Sequence, residues 1–304
     1  MILRSFPGTD YQAPETRRLL SLFGQETIII HALTDQIAFA QHTAPLSIKT
    51  TFQGCERYEI NGHPVVVDQH SYLVINQDQP YASSIESIAP VESFCVFFRD
   101  DLTQEVLSVF CKQAAWLVDH PESQDTQPPE LFFQYRRPVD HLISPILANI
   151  HQRIQTNEIT QSWLDEQYHF LIERLLQQHA HIQQEIEKLP MVRRSTRVEL
   201  FKRLFRARDF IESCYAEPIS LTDMAGAACL SRHHFLRLFT QVFHQTPHQF
   251  LTTVRLSHAW QLLATHRHTV TEVCFAVGFE NTSSFARLFK RHFGCSPHTR
   301  VLRS

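Results

Sequence analysis

Over its first hundred residues the chain carries apolar side chains in short runs separated by polar breaks. The runs are "TIIIHAL" (27–33), "QIAFA" (36–40), "LSIKTTF" (46–52), "CERYEI" (55–60), "HPVVV" (63–67), "SYLVIN" (71–76) and "ESFCVFF" (92–98). They are rich in β-branched and aromatic residues, so each predicts a short strand. Asn61-Gly62, between "CERYEI" and "HPVVV", suits the positive φ of a type I′ turn and marks the clearest hairpin. Strands at this spacing predict an antiparallel sandwich or barrel.

The apolar period then lengthens to three and four. "DLTQEVLSVFCKQAAWL" (101–117) has helical spacing, with Leu102, Val106, Leu107, Val109 and Phe110 among its apolar positions. "DHPESQDTQPPE" (119–130) is polar and proline-rich and predicts a loop. Helix is predicted again over 139–156 and 161–188. In the latter, Leu164, Tyr168, Leu171, Ile172, Leu175, Ile182 and Ile186 form a stripe. Such a stripe can pair two subunits or dock on the chain's own sheet, and the pattern allows both. "LPMVRRSTR" (189–197) reads as a basic linker. Beyond it every segment is helical: 199–214, 221–228, 232–243, 248–265, 271–277, 282–293 and a short tail after Pro297. The pattern divides the chain into a β-rich domain at 1–118, a helical connector at 131–190 and an all-α domain at 198–304.

Within the last domain a phrase repeats: "HFLRLFTQVFHQTPH" (234–248) and "SFARLFKRHFGCSPH" (284–298). With Ser231 as cap, Phe235, Leu238, Phe239, Val242 and Phe243 line one face of a helix, and Arg232, His233, Leu236, Arg237 and Thr240 line the other. With Asn281 as cap, Phe285, Leu288, Phe289 and Phe293 are the buried stripe of the second copy. A short amphipathic helix and a tight turn precede each copy, in "LTDMAGAACLS" (221–231) and "VTEVCFAVGFEN" (270–281). Ala225 and Cys274 sit where helices cross closely, and Gly278 suits a turn that needs positive φ. Short helix, turn and second helix with a polar outer face is a helix-turn-helix pattern, whose second helix enters the major groove. The helix between the copies starts at Pro247. About 18 residues of helix span roughly 27 Å, on the order of one DNA turn.

Charge sharpens this division. The net charge is −3, but residues 1–190 carry 12 Lys+Arg against 24 Asp+Glu, and residues 191–304 carry 16 against 7. A basic third on an acidic body points to one module that faces a polyanion. The seven cysteines are scattered with no CxxC pair, and no long apolar segment appears. Both features predict free thiols in a cytoplasmic protein that makes no membrane contact.

On "VTEVCFAVGFENTSSFARLFKRHFGCSP" and its partner phrase, the last hundred residues resemble the DNA-binding domain of the AraC/XylS family of bacterial transcription regulators. The front two thirds resemble that family's cupin-like sensor and helical connector in layout. The resemblance implies double-stranded DNA as partner, read in the major groove. It places His233, Leu236 and Arg237 of the first unit, and Thr282, Ser283, Ala286 and Arg287 of the second, at base-facing positions. Arg232, Lys290 and Arg291 are phosphate candidates. Whether Arg237 and Arg287 read bases or grip phosphate stays open. The resemblance also implies a small-molecule effector, a homodimer and contact with RNA polymerase. The chain departs from the family at Cys229 and His244, where glycine is usual, at Ser284 in place of an aromatic and at Arg300 in place of a tyrosine.

Enzymatic chemistry finds little purchase. GxSxG, P-loop and GxGxxG units are absent, and no cofactor is expected. His31, His42, His63, His70, Glu56 and Glu59 are the metal ligands to weigh, but they lack the HxH spacing of a metal cupin, so no metal is expected. Tyr58, Tyr72, Tyr81, Phe94 and Phe97 either line a ligand cavity or fill a core. The fold class expected is multidomain, with an N-terminal β-sandwich or cupin-like barrel, a helical connector and a C-terminal double helix-turn-helix. The function expected is a sequence-specific transcription regulator under effector control. A regulator of the same fold without an effector and a cupin-type metal enzyme with a DNA-binding tail are the alternatives.

Overall fold

The computed structural model describes residues 1–10, 12–106, 132–187, 193–265 and 267–302. The chain forms two compact units, Met1–Pro190 and Met191–Ser304.

The first unit is built on one eight-stranded sheet. Its strands are β1 (Ile2–Leu3), β2 (Ile28–His42), β3 (Ser47–Gln53), β4 (Cys55–Ile60), β5 (His63–Asp68), β6 (Ser71–Ile75), β7 (Tyr81–Phe97) and β8 (Arg136–Pro138). They run in the order β1-β2-β7-β3-β6-β8, with β4 joining β5 and β7 off that path. The expected sandwich or cupin-like barrel is therefore corrected to a single open sheet. Two long strands account for the difference. "TIIIHAL" and "QIAFA" are one strand, β2, whose polar break at Thr34–Gln36 is a register shift and not a turn. The 17-residue β7 is long enough to serve two neighbours besides β2: Tyr81–Ser84 pairs with β4, and Glu92–Phe97 pairs with β3. The β4–β5 hairpin turns at Asn61 and Gly62, with φ of 53° and 75°. All pairings between the named strands are antiparallel except that of β1 with β2.

Both faces of the central strands are covered. Ile29, Phe94 and Val96 face helices α2 (Ser144–Thr156) and α3 (Gln161–Glu187), while Ile28, Ile30, Cys95 and Phe97 enter a cluster on the other face. Period-two alternation thus separates neighbours that the sequence shows as one apolar run. Leu164, Tyr168, Leu171, Ile172 and Leu175 of α3 belong to the core they share with the sheet, so the amphipathic stripe docks on its own domain. Tyr72 adds a polar tie, donating from its hydroxyl to Asp140 at 2.5 Å, and Asp140 accepts from the backbone N–H groups of Leu142 and Ile143 in the turn just ahead of α2. Helix α1 (Pro14–Leu20) and strand β8 have no counterpart in the sequence pattern. The helix expected over 101–117 is seen at 102–106; its remainder, and the loop expected at 119–130, lie outside the described residues.

The second unit is all helix: α4 (Arg194–Ser213), α5 (Leu221–Ala227), α6 (Arg232–Phe243), α7 (Pro247–Ala264), α8 (Val270–Ala276), α9 (Thr282–Phe293) and α10 (Pro297–Leu302). The supposed linker loses its end to α4, because Arg194 and Arg197 are good helix formers ahead of the buried Leu200, Phe201 and Leu204. Two cores share α7. Leu251, near its start, joins the core of α4–α6, and Leu256, Ala259 and Leu263 join the core of α8 and α9. Among the described residues no helix is long and apolar enough to cross a membrane.

Candidate functional site

The two halves of the second unit are built by the same local rules. Helices α5 and α8 each open on a capping box, Ser220 with Asp223 and Thr269 with Glu272. Both end in the same turn. Cys229 N–H donates to Gly226 O and Leu230 N–H to Ala225 O, while Gly278 N–H donates to Phe275 O and Phe279 N–H to Cys274 O. These paired bonds make a Schellman motif, which needs a left-handed residue after the helix. Cys229 supplies it at φ 50° and Gly278 at φ 86°. Ser231 and Asn281 then cap α6 and α9 by accepting from the N–H of His234 and Ser284. His244 and Gly294 close those helices, again left-handed. The departures at Cys229 and His244 therefore change the residue and keep the turn.

Each second helix buries one face and leaves the other to solvent. Phe235, Leu238 and Phe239 are buried in α6, and Phe285 and Phe289 in α9. Opposite them, Arg232, His233, Leu236 and Arg237 are exposed on α6. On α9, Thr282, Ser283, Arg287, Lys290 and Arg291 are exposed and Ala286 is half-buried. All ten residues expected at DNA thus lie on outward helix faces. The cationic groups of Arg232, Arg237, Arg287, Lys290 and Arg291 make no side-chain hydrogen bond or ion pair with the described residues. Arg255 on α7 is used differently: Nε and Nη2 donate to the carbonyls of Tyr215 and Glu217 at 2.7 and 2.8 Å.

A second feature lies in the first unit, a cavity of about 440 Å³ with Phe6, Leu20, Ile30 and Phe39 among its apolar walls. Of the five aromatics considered for such a cavity, Tyr81 and Phe97 line it, and Tyr58, Tyr72 and Phe94 are core residues. The sequence reading missed Lys49, a lysine inside a β-branched strand. It is 2% exposed, yet its ammonium faces the cavity, donating to the Tyr81 hydroxyl at 3.2 Å and lying 3.5 Å from the centre of the Phe97 ring. Burial lowers its pKa from the usual lysine value, with Cys95 and Glu56 pulling the other way. Glu56, also buried on the cavity wall, accepts from the Ser93 hydroxyl at 2.7 Å.

The histidines and glutamates weighed as metal ligands do not gather as a set. His42 and Glu56 line the cavity, Glu59 and His70 are exposed, and His63 ends the hairpin. His31 meets two residues not considered from sequence, Glu92 and His151.

Two helix-turn-helix units joined by one helix define a class of double-headed DNA-binding domain. Residues 224–300 match the family model described as a helix-turn-helix domain. The HTH-type transcriptional regulator AlkR of Acinetobacter baylyi is 35% identical over 81 residues, 27% of this chain and 26% of that protein. The lactose operon transcription activator of Staphylococcus xylosus is 31% identical over 90 residues, 30% of this chain and 32% of that one. A solved regulator from Chromobacterium violaceum with an AraC-type DNA-binding domain covers 36% of this chain and 96% of its own, at 25% identity and a TM-score of 0.32. The chain spans about a third of the length of the curated relatives it matches. The C-terminal domain is a double helix-turn-helix domain of the AraC/XylS type.

Proposed function

We propose that the protein is a sequence-specific transcription regulator that reads double-stranded DNA with α6 and α9. One observation carries this reading: two helices with the same Phe/Leu stripe present different outer faces, crowned by five cations unpaired among the described residues, in the basic third of the chain. His233, Leu236 and Arg237 face bases in one half of the operator; Thr282, Ser283, Ala286 and Arg287 face them in the other. Arg232, Lys290 and Arg291 hold phosphates. The proposed control is a mainly apolar small molecule whose hydrogen-bond acceptor meets Lys49 in the cavity. The cavity falls within the roughly 300–1,000 Å³ typical of ligand sites. A homodimer and contact with RNA polymerase belong to the same reading. So does a cytoplasmic location. The relatives matched are regulators, which favours this reading over an enzyme.

Mapping the sites bound across the genome tests the central claim: discrete sites with a shared sequence are expected, and none would overturn it. At such a site Arg287→Ala should cost about 1–3 kcal/mol if the arginine reads a base. A uniform loss on all sequences, with the salt slope reduced by about one, assigns it to phosphate instead.

A further inference from the structure

We propose that His31, Glu92 and His151, with Gln155, bind a divalent transition-metal ion of the zinc type and thereby clamp helix α2 to the sheet. The residues come from three elements: His31 from β2, Glu92 from β7, and His151 and Gln155 one turn apart on α2. The Nε2 atoms of both histidines lie 2.7 Å from the same Glu92 oxygen, Oε1. All three ligand atoms fall within 4.8 Å of one another. The amide nitrogen of Gln155 closes the group, 3.1 Å from His151 Nε2 and 3.4 Å from Glu92 Oε1.

Protons leave one contact of this arrangement unmatched. An imidazole nitrogen carries either a hydrogen or a lone pair. With His151 Nε2 donating to the carboxylate at 2.7 Å, the Gln155 amide nitrogen can donate to Glu92 Oε1, yet it also lies 3.1 Å from that Nε2, donor against donor. Turning the Gln155 amide over, an exchange of look-alike atoms, faces its oxygen toward the carboxylate oxygen, acceptor against acceptor. A cation at the point of convergence removes the conflict. Both Nε2 atoms, Glu92 Oε1 and the turned amide oxygen then all offer lone pairs. Two imidazoles, a carboxylate and one further oxygen form a donor set that zinc accepts in tetrahedral coordination.

The surroundings suit a structural ion. The three ligand side chains are 11–19% exposed, largely dehydrated yet within reach of solvent. Phe52 stacks on the His151 ring at 3.7 Å and Phe94 lies edge-on to it, which holds the imidazole plane. Arg4 bonds the Ile154 carbonyl, and its Nη1 lies 3.5 Å from His31 Nδ1. When Nε2 takes the metal, Nδ1 keeps the proton, so that contact opens while the Ile154 anchor stays.

The proposal is independent of DNA binding and of the cavity, so it stands or falls separately. The untagged full chain, stripped by chelator dialysis, is titrated with Zn²⁺ by calorimetry. One equivalent should bind and raise the melting temperature. His31→Gln and His151→Gln keep a polar side chain and should weaken binding by more than about 100-fold, beyond the 10–100-fold of an outer-shell loss, and Gln155→Ala by about 10-fold. Circular dichroism confirms that the variants fold. Loading with Co²⁺ separates this site from the cysteines: visible bands without thiolate charge-transfer absorption are expected. Absence of saturable one-equivalent binding, undiminished binding by the double glutamine variant, or a thiolate band would each overturn the proposal.

Discussion

Gly278 and Cys229 occupy equivalent turns but cannot be exchanged. A Cβ built on Gly278 would lie 2.7 Å from the Ala216 carbonyl oxygen and 2.9 Å from the Arg255 guanidinium. Gly278→Ala therefore combines left-handed strain of about 1–2 kcal/mol with overpacking of about 1–3 kcal/mol. The variant should lose about 2–5 kcal/mol in denaturant unfolding of the second unit. Cys229 already carries a Cβ in the left-handed region and is exposed. Cys229→Gly relieves about 1–2 kcal/mol of strain against about 0.4–1 kcal/mol of added chain entropy, so it should stabilise by up to about 1.6 kcal/mol. Equal effects at the two positions would refute the distinction. The need for positive φ at Gly278 was legible from the phrase around it. The carbonyl that forbids a side chain there was not, because Ala216 reaches it only through tertiary packing.

Helix α7 does more than separate α6 from α9. Its residues enter both cores, and Arg255 at its centre grips the carbonyls of Tyr215 and Glu217 in the segment joining α4 to α5. The Tyr215 ring also stacks on His258 at 3.9 Å, 2° from parallel. The segment between α4 and α5 is thus fastened to α7. Arg255→Met leaves both carbonyls without their charged donor, a loss of about 1.5–3 kcal/mol per such bond at most. Its sharper consequence is on coupling: affinity for an operator with both half-sites should fall more than affinity for a single half-site. Equal losses on the two probes would show that Arg255 contributes stability alone. From sequence the helix and its length were readable, since Pro247, a capping box of Thr246 with Gln249 and the apolar spacing mark it. That Arg255 braces it was not, because an arginine among polar residues reads as solvated surface.

The charge division matches the structural one, and it places the cavity in the acidic unit and the candidate reading helices in the basic unit. An effector acts only by binding two states of the protein with different affinity. At the cavity Lys49 makes that idea testable. Among the described residues the buried ammonium makes no carboxylate ion pair, though Glu56 attracts it, so Lys49→Met should change the stability of the ligand-free protein little, relief of burial offsetting the lost attraction. The same change should abolish stabilisation by any ligand that uses the ammonium, which at about 100 times its Kd raises the wild-type stability by about 2.7 kcal/mol. Thermal shifts against a panel of apolar carboxylates, ketones and esters read both effects. A ligand that shifts wild type and Lys49→Met alike would remove Lys49 from the site.

The second unit was open to reading almost residue by residue: its helix starts, its buried stripes and its outward faces follow from caps and a 3.6-residue period. These are local rules, and the repeat states them twice. The first unit resisted because sheets are assembled from distant segments. A polar break can be a turn or a bulge, and only the pairing of β2 with β7 shows that Thr34–Gln36 is the latter. The stripe on α3 was equally visible as a dimer seam or a docking face until the sheet claimed it. Lys49 at the cavity, and His31 beside Glu92 and His151, depended on tertiary structure alone. Their chemistry arises where side chains far apart in sequence meet, and no local pattern records such a meeting.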